Sequence, residues 1–404
     1  MYQLPKLSRR AKWAVPAGVV VAVGGVMAGS LISVAQATPA LPARTPAQLL
    51  AAIAGDTSPP PALTGTVVET VSLGLPDLPG TGNPTSITSL LTGSHTIRVW
   101  YGGPGHIRLA VPESMSESDL IRNGTSAWFW QSSTNTVTHY QLRAGDEKVP
   151  AGSGPAQAPL TPQQAASQVL AEVGPTTTVR VDSNVVVAGE AAYQLVLAPR
   201  DTRSLVGQVR IAVDGRNNVP LRVQVIARGA SSAALQVGFT SISFVAPAAA
   251  NFTFTPPPGA KVVQESLAPG KQGSPRADGA NSPSVIGQGW LAVAMLPASA
   301  LSGLPGNASS AGDAISSSAH AASGSAPAAV GGGGTGENAA ILGALLRSAT
   351  PVHGSWGSGQ LLRTSLVSVL ITSNGRIFAG AVAPSVLYSA AQSGAAQSGA
   401  AQKG

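Results

Sequence analysis

Between Tyr193 and Phe239 one residue parity is apolar in four successive segments: Tyr193, Leu195 and Leu197; Val209, Ile211 and Val213; Leu221, Val223 and Val225; Leu235, Val237 and Phe239. The other parity is more polar, with Gln194, Arg210, Arg222, Gln224, Gln236 and Thr240. Successive side chains of a strand point to opposite faces, so this alternation predicts four strands of an antiparallel sheet with one face that must be buried. Asp214-Gly215 predicts one of its turns.

The same period of two governs Leu63 to about Leu142. Val67 and Val71 alternate with Thr66, Val68, Thr70 and Ser72, and further strands are predicted at Thr96–Tyr101, His106–Val111, Ala127–Gln131 and Thr136–Leu142. Two helices interrupt this pattern. Thr45-Pro46-Ala47-Gln48 and Thr161-Pro162-Gln163-Gln164 each offer a capping threonine, a proline at the first helical position and a glutamine able to close a capping box. Their apolar stripes are Leu49, Leu50 and Ile53, then Val169, Leu170 and Val173. Two helices against eight or more strands suggest a curved half-barrel with helices across its mouth, a shape that leaves an apolar cavity. The same face can also close on itself as a dry sandwich core, and periodicity does not choose between the two.

The first 37 residues have the parts of an export signal. Lys6, Arg9, Arg10 and Lys12 form a basic start, Ala14–Ala35 is uncharged and rich in valine, and Ala35-Gln36-Ala37 is a small-x-small cleavage pattern. As a helix, Ala14–Ala35 would reach about 33 Å, enough to span a bilayer uncleaved. Cleaved or retained, the segment places the remainder in an extracytoplasmic space, periplasm or cell wall, secreted or anchored by residues 14–35. Ser8-Arg9-Arg10 reads as ordinary basic residues rather than a twin-arginine signal.

The absence of cysteine excludes disulfides, thiolate metal sites, a cysteine nucleophile and a lipidated cysteine. The net charge of +7 does not point to nucleic acid. Beyond residue 37 there remain 20 basic and 17 acidic residues, with no basic stripe carrying interleaved aromatics.

From about Pro46 to Val263 the chain resembles the LolA/RseB (MucB) superfamily of bacterial envelope lipoprotein carriers and sensors. The resemblance rests on Gly65-Thr66-Val67-Val68-Glu69-Thr70, Val99-Trp100-Tyr101 before Pro104 and His106-Ile107-Arg108-Leu109, and Arg122-Asn123-Gly124 with Trp128 and Trp130. Thr138-His139-Tyr140, Val187-Ala188-Gly189, Tyr193–Leu197, Asp214 before Pro220-Leu221-Arg222, and Phe252-Thr253-Phe254 before Pro256-Pro257-Pro258-Gly259 extend it. It implies an α+β, mostly antiparallel fold: an unclosed half-barrel with helices across the mouth over residues 38–265. It further implies an apolar cavity for lipid or lipoprotein acyl chains, no catalytic residue and no cofactor. The cavity candidates are then Val67, Val99, Trp100, Leu109, Trp128, Trp130, Leu195, Ile211, Val223 and Phe239. For the three tryptophans, core packing and a partner platform stand beside the cavity reading. The partners implied are acyl chains, a membrane surface and a membrane-bound regulator such as an anti-sigma factor. An uncleaved anchor would favour a tethered sensor over a soluble shuttle.

Residues 266–282 read as a linker and 283–388 as a small α+β module. Within the module, Val285–Leu296 reads as a strand, 298–336 as a disordered Ser/Ala/Gly-rich excursion, and Glu337–Arg347 as a short helix. Leu361–Thr372 and Ile377–Val382 read as a hairpin on Ser373-Asn374-Gly375-Arg376, with asparagine and glycine both at positive φ. The Ala-Ala-Gln-Ser-Gly repeats of 389–404 read as a flexible tail.

No catalytic constellation is visible. Gly331-x-Gly333-x-x-Gly336 matches a dinucleotide fingerprint formally, but it lies in a glycine run with no strand before it. There is no G-x-S-x-G elbow, and His95, His106, His139, His320 and His353 lack metal-ligand spacing. Asp182, Asp201 and Asp214 read as turn residues, and His139 as a strand-edge residue able to touch a ligand.

Overall fold

The computed structural model describes residues 39–55, 59–74, 92–113, 115–142, 161–171, 173–266, 284–297 and 348–401. The segment 1–37 with its anchor at 14–35, the linker after residue 266, the excursion at 298–336 and the helix expected at Glu337–Arg347 lie outside the described residues.

Both expected capping boxes are present. The Thr45 N–H donates to Gln48 Oε1 at 2.8 Å and the Gln48 N–H to Thr45 Oγ1 at 3.2 Å, opening α1 (Pro46–Gly55). Thr161 and Gln164 repeat the exchange at 2.9 and 3.3 Å and open α2 (Pro162–Ala171). Each box satisfies N–H groups that a helix start leaves without intrahelical partners.

Before α2 run β1 (Leu63–Ser72), β2 (Thr92–Gly103), β3 (His106–Pro112), β4 (Glu117–Asn123), β5 (Ser126–Gln131) and β6 (Thr136–Gln141). After it come β7 (Thr177–Val187), β8 (Glu190–Pro199), β9 (Val206–Asp214), β10 (Pro220–Ala227), β11 (Ala233–Ser243) and β12 (Lys261–Ser266). These strands form one sheet in the order β12-β6-β5-β4-β3-β2-β1-β11-β10-β9-β8-β7. Every pairing is antiparallel except β12 with β6, which is parallel. The sheet does not close, but it curls. β7 comes back against β11, four ladders away, a separation of roughly 19 Å in a flat sheet. The architecture is the one the resemblance implies, an open and mostly antiparallel half-barrel with few helices.

The hairpin between β9 and β10 is wider than Asp214-Gly215 suggested. Asp214 Oδ1 accepts from the N–H groups of Arg216 and Asn217, at 3.0 and 2.6 Å, and Asn218 takes a φ of 57°. The aspartate thus mimics a turn of backbone, and the positive φ falls on the asparagine.

The second unit is a six-stranded sheet in the order β13-β14-β18-β17-β16-β15. Its strands are β13 (Ser284–Ile286), β14 (Val293–Pro297), β15 (Thr350–Gly354), β16 (Gly357–Arg363), β17 (Ser368–Thr372) and β18 (Arg376–Gly380), followed by α3 (Pro384–Ala401). Four expectations are corrected here. Val285–Leu296 is two strands, broken by a 3-10 turn at Gly289–Leu291 that turns Trp290 outward. Leu361–Thr372 is also two strands, because Thr364 accepts from the Val367 N–H through Oγ1 and donates its own N–H to the Val367 carbonyl, closing a turn. In the hairpin at Ser373–Arg376 only Gly375 has positive φ (76°), and its N–H reaches Thr372 O at 3.0 Å. That geometry is a common turn followed by a left-handed glycine. Finally, the stretch from 389 to 401 is helical rather than a tail. Leu387, Ala390 and Ala391 pack α3 against Leu361, Leu370 and Phe378, and alanine favours the helix.

Candidate functional site

Carrying the register from strand to strand places Val67, Val71, Ile97, Val99, Leu109, Phe129, Leu195, Ile211, Val223 and Phe239 on one face of the large sheet. This is the inner face. One apolar cluster on it joins Leu195, Ile211 and Val223 to Leu49 of α1 and to Ala165 and Ala166 of α2. A second cluster gathers Val67, Ile97, Val99 and Phe239 with Val187, Ala192, Ala212 and Leu221, with Leu109 packed against it. The second cluster coincides with register shifts at Thr66/Val67, Pro220/Arg222 and Asp182/Val185. Bulges of this kind bend strands and re-aim side chains, which lets residues from distant strands meet.

Seven of the ten cavity candidates therefore share the inner face: Val67, Val99, Leu109, Leu195, Ile211, Val223 and Phe239. Trp100, Trp128 and Trp130 do not join them. Trp100 pairs in register with Arg108, Trp128 with Ile121 and His139, and Trp130 with Asp119 and Val137, all on the opposite, outer face. The alternation within Trp128-Phe129-Trp130 was legible, but which side the inner elements would cover was not.

The outer face of β3 to β6 is partly covered too. The chain leaving β11 crosses it, with a 3-10 turn at Ala249–Phe252, before adding β12 at the far edge. Phe252 meets His106 edge-on at 5.5 Å, and Phe254 lies 5.6 Å from Trp128. Trp128 stacks on His139 at 3.8 Å, and His139 Nδ1 is 2.7 Å from Gln264 Oε1 of β12. Arg108 lies over the Trp100 ring at 5.2 Å and reaches Asp119 at 2.5 Å. Burial raises the Asp119 carboxyl above its ordinary value, against the pull of Arg108. Trp128 thus belongs to a polar-aromatic layer between the sheet and its return segment, and Trp100 and Trp130 lie on the same face of the sheet. Beside that layer Thr64, Thr66, Arg98, Trp100, Ser241 and Ser243 line an open groove of about 280 Å³.

The inner face is covered by separable pieces, not by a second sheet of its own. Besides α1 and α2, the turn between β16 and β17 inserts Leu366 and Val367, only 2% and 6% exposed, into the cluster that holds Leu49, Val71 and Leu195. Ser365 N–H donates to Leu73 O at 2.9 Å beside it. Trp290 packs on the same cluster and donates its indole N–H to Thr177 Oγ1 at 2.8 Å. Ser204 bridges to Val382, with Leu205 N–H to Ala381 O at 2.9 Å and Ala383 N–H to Arg203 O at 2.7 Å. These module residues went unread in the sequence. The only signal was an apolar Leu-Val pair inside a Thr-Ser turn, where polar residues are usual.

Among the described residues no group of histidines, cysteines and carboxylates is placed to hold a metal, and no helix is long and apolar enough to cross a membrane.

No family model and no curated protein matches the chain by sequence. Solved structures do resemble it. One is the complex of MucA and MucB from Pseudomonas aeruginosa, at 15% identity and a TM-score of 0.37, covering 85% of this chain and 94% of that one. A LolA superfamily protein from Nitrosomonas europaea aligns at 10% identity and a TM-score of 0.21, over 52% of this chain and 99% of its own. An uncharacterized conserved protein from Thermus thermophilus aligns at 12% identity and a TM-score of 0.30, over 54% of this chain and 98% of its own. At such scores the architecture stands on its own strand order and register.

Proposed function

We propose that the chain is a non-enzymatic, extracytoplasmic carrier that holds the acyl chains of a lipid or lipoprotein against the inner face of the half-barrel. One observation carries this reading. The apolar face that carries Leu195, Ile211 and Val223 is covered by two ten-residue helices and by a turn from another unit. Such pieces can move aside without breaking the sheet ladder, and an acyl chain can then replace their apolar contacts at little net loss of buried area. The test is organic extraction of the purified full chain followed by mass spectrometry. A stoichiometric acylated species is the expected result. A folded protein with an empty extract, which also fails to bind a fluorescent fatty acid, would overturn the reading.

A second reading is an RseB-like envelope regulator that binds an anti-sigma factor or another membrane partner. The module docked through backbone hydrogen bonds from Leu205 to Ala381 and from Ala383 to Arg203 favours it, because a second unit able to undock offers a surface to a partner. Capture of one membrane protein by the full chain, lost when the module is removed, is the expected result on this reading. No capture counts against it.

A further inference from the structure

The outer face of β9 and β10 carries Arg210 and Arg222, two residues apart in register on adjacent strands. Their backbones are therefore diagonal neighbours, about 7–8 Å apart. Ion pairs among the described residues join Arg108 to Asp119, Arg180 to Asp182 and Arg203 to Asp201, and neither Arg210 nor Arg222 takes part in one. Arg210 Nε is buried without a hydrogen-bond acceptor. Asp182 is held by Arg180 at 3.0 Å and feels Arg210 only through space. Asp214 accepts from its own turn through Oδ1, and its Oδ2 is buried without a hydrogen-bond partner. Burial and the charge of Arg210 both hold Arg222 below the ordinary guanidinium pKa, with no carboxylate offsetting them.

Space around the pair is arranged for this. Arg222 lies across Gly238 of β11, where a Cβ would come within 2.9 Å of its Cγ. Glycine there lets the guanidinium stem lie flat on the sheet. Gln224 and Gln236 flank it, joined to each other at 2.6 Å, and supply amide groups rather than negative charge. Two half-buried like charges without a counter-ion oppose folding in the free protein. A fold that retains them is poised for an anion, and the planar, multi-donor guanidinium matches a tetrahedral or carboxylate oxyanion.

We propose that Arg210 and Arg222 form an oxyanion-binding site on the outer face, for a phosphate-type group. A lipid headgroup and a soluble phosphate present the same chemistry. The site lies on the face opposite the acyl-binding surface and does not depend on it.

The test uses the full chain, its Arg210→Gln/Arg222→Gln variant, and Arg216→Gln as a control on the neighbouring turn. Two probes are applied: inorganic phosphate followed by thermal melting at constant ionic strength, and flotation with phosphatidylcholine vesicles with or without phosphatidylglycerol. Wild type is expected to melt higher in phosphate, to float with the anionic vesicles, or to do both, and the double variant to bind about tenfold more weakly or worse. Flotation that phosphate displaces identifies a headgroup as the source. A phosphate response without flotation identifies a soluble oxyanion. Without ligand, the double variant is expected to melt as high as wild type or higher, since like charges have been removed. Three results would overturn the site: no response to either probe, an equal loss in Arg216→Gln, or a double variant that melts well below wild type without ligand.

Discussion

Ser365 N–H donates to the carbonyl oxygen of Leu73 over 2.9 Å, tying the turn between β16 and β17 to the end of β1. That bond sets Leu366 and Val367 inside the core of a different unit. Truncating Leu366 to alanine removes a buried side chain whose neighbours come from both units, and large-to-small core changes of this type cost about 2–4 kcal/mol. We expect Leu366→Ala to lower the urea midpoint by a corresponding amount. On the carrier reading, the same variant should bind a fluorescent fatty acid more tightly than wild type, because the turn competes for the surface. Unchanged stability would show that the turn does not hold the units together.

Trp290 Nε1 donates to Thr177 Oγ1 at 2.8 Å, joining the units side chain to side chain. Replacing Trp290 with phenylalanine keeps most of the apolar contact and deletes the donor. The expected loss is about 1 kcal/mol. Double-mutant analysis with Thr177→Val should give a clear coupling energy, and strictly additive effects would argue that the bond contributes nothing.

Arg108 and Asp119 are a buried pair with only 29% and 2% of their side chains exposed. Removing the cation leaves a carboxylate that burial already disfavours, so Arg108→Gln should cost about 3–5 kcal/mol at neutral pH. The folded-state pKa of Asp119 lies above 3.8, so proton binding favours the folded state. Its stabilising contribution is present below 3.8 and is lost as pH rises through the folded value. Arg108→Gln should therefore recover part of its deficit in acid, and Arg108→Gln/Asp119→Asn should recover much of it at neutral pH. Chemical denaturation across a pH series measures both.

Asp201 behaves in the opposite sense. Hydrogen bonds from the Arg203 side chain and backbone lower its carboxyl from 3.8 to about 2. Its contribution is complete above 3.8 and disappears as pH falls from there through about 2. Arg203 O accepts the Ala383 N–H, so this loop carries one of the backbone bonds between the units. We expect hydrogen-exchange protection at Ala383 to fall across that acid window. Arg203→Gln should bring the Asp201 titration, followed by NMR, back toward 3.8.

Much of this was written in the chain itself. Period-two alternation fixed which of the apolar residues between Tyr193 and Phe239 share a face within each strand, because a pleated strand has only two sides. Thr45 with Gln48, and Thr161 with Gln164, announced the two capped helices through interactions only three residues long. Parity does not say what will cover a face. Trp100, Trp128 and Trp130 looked like cavity residues, but they fall on the outer face, where the return segment lays Phe254 beside Trp128. The parallel pairing of β12 with β6 joins His139 to Gln264 across 125 residues, and no local pattern encodes such a partner. The turn at Thr364–Val367 and the helix from Pro384 are of the same kind. Leu366 and Ala390 acquire their roles only from the surfaces they meet, and burial is a property of the pair of surfaces, not of either sequence alone.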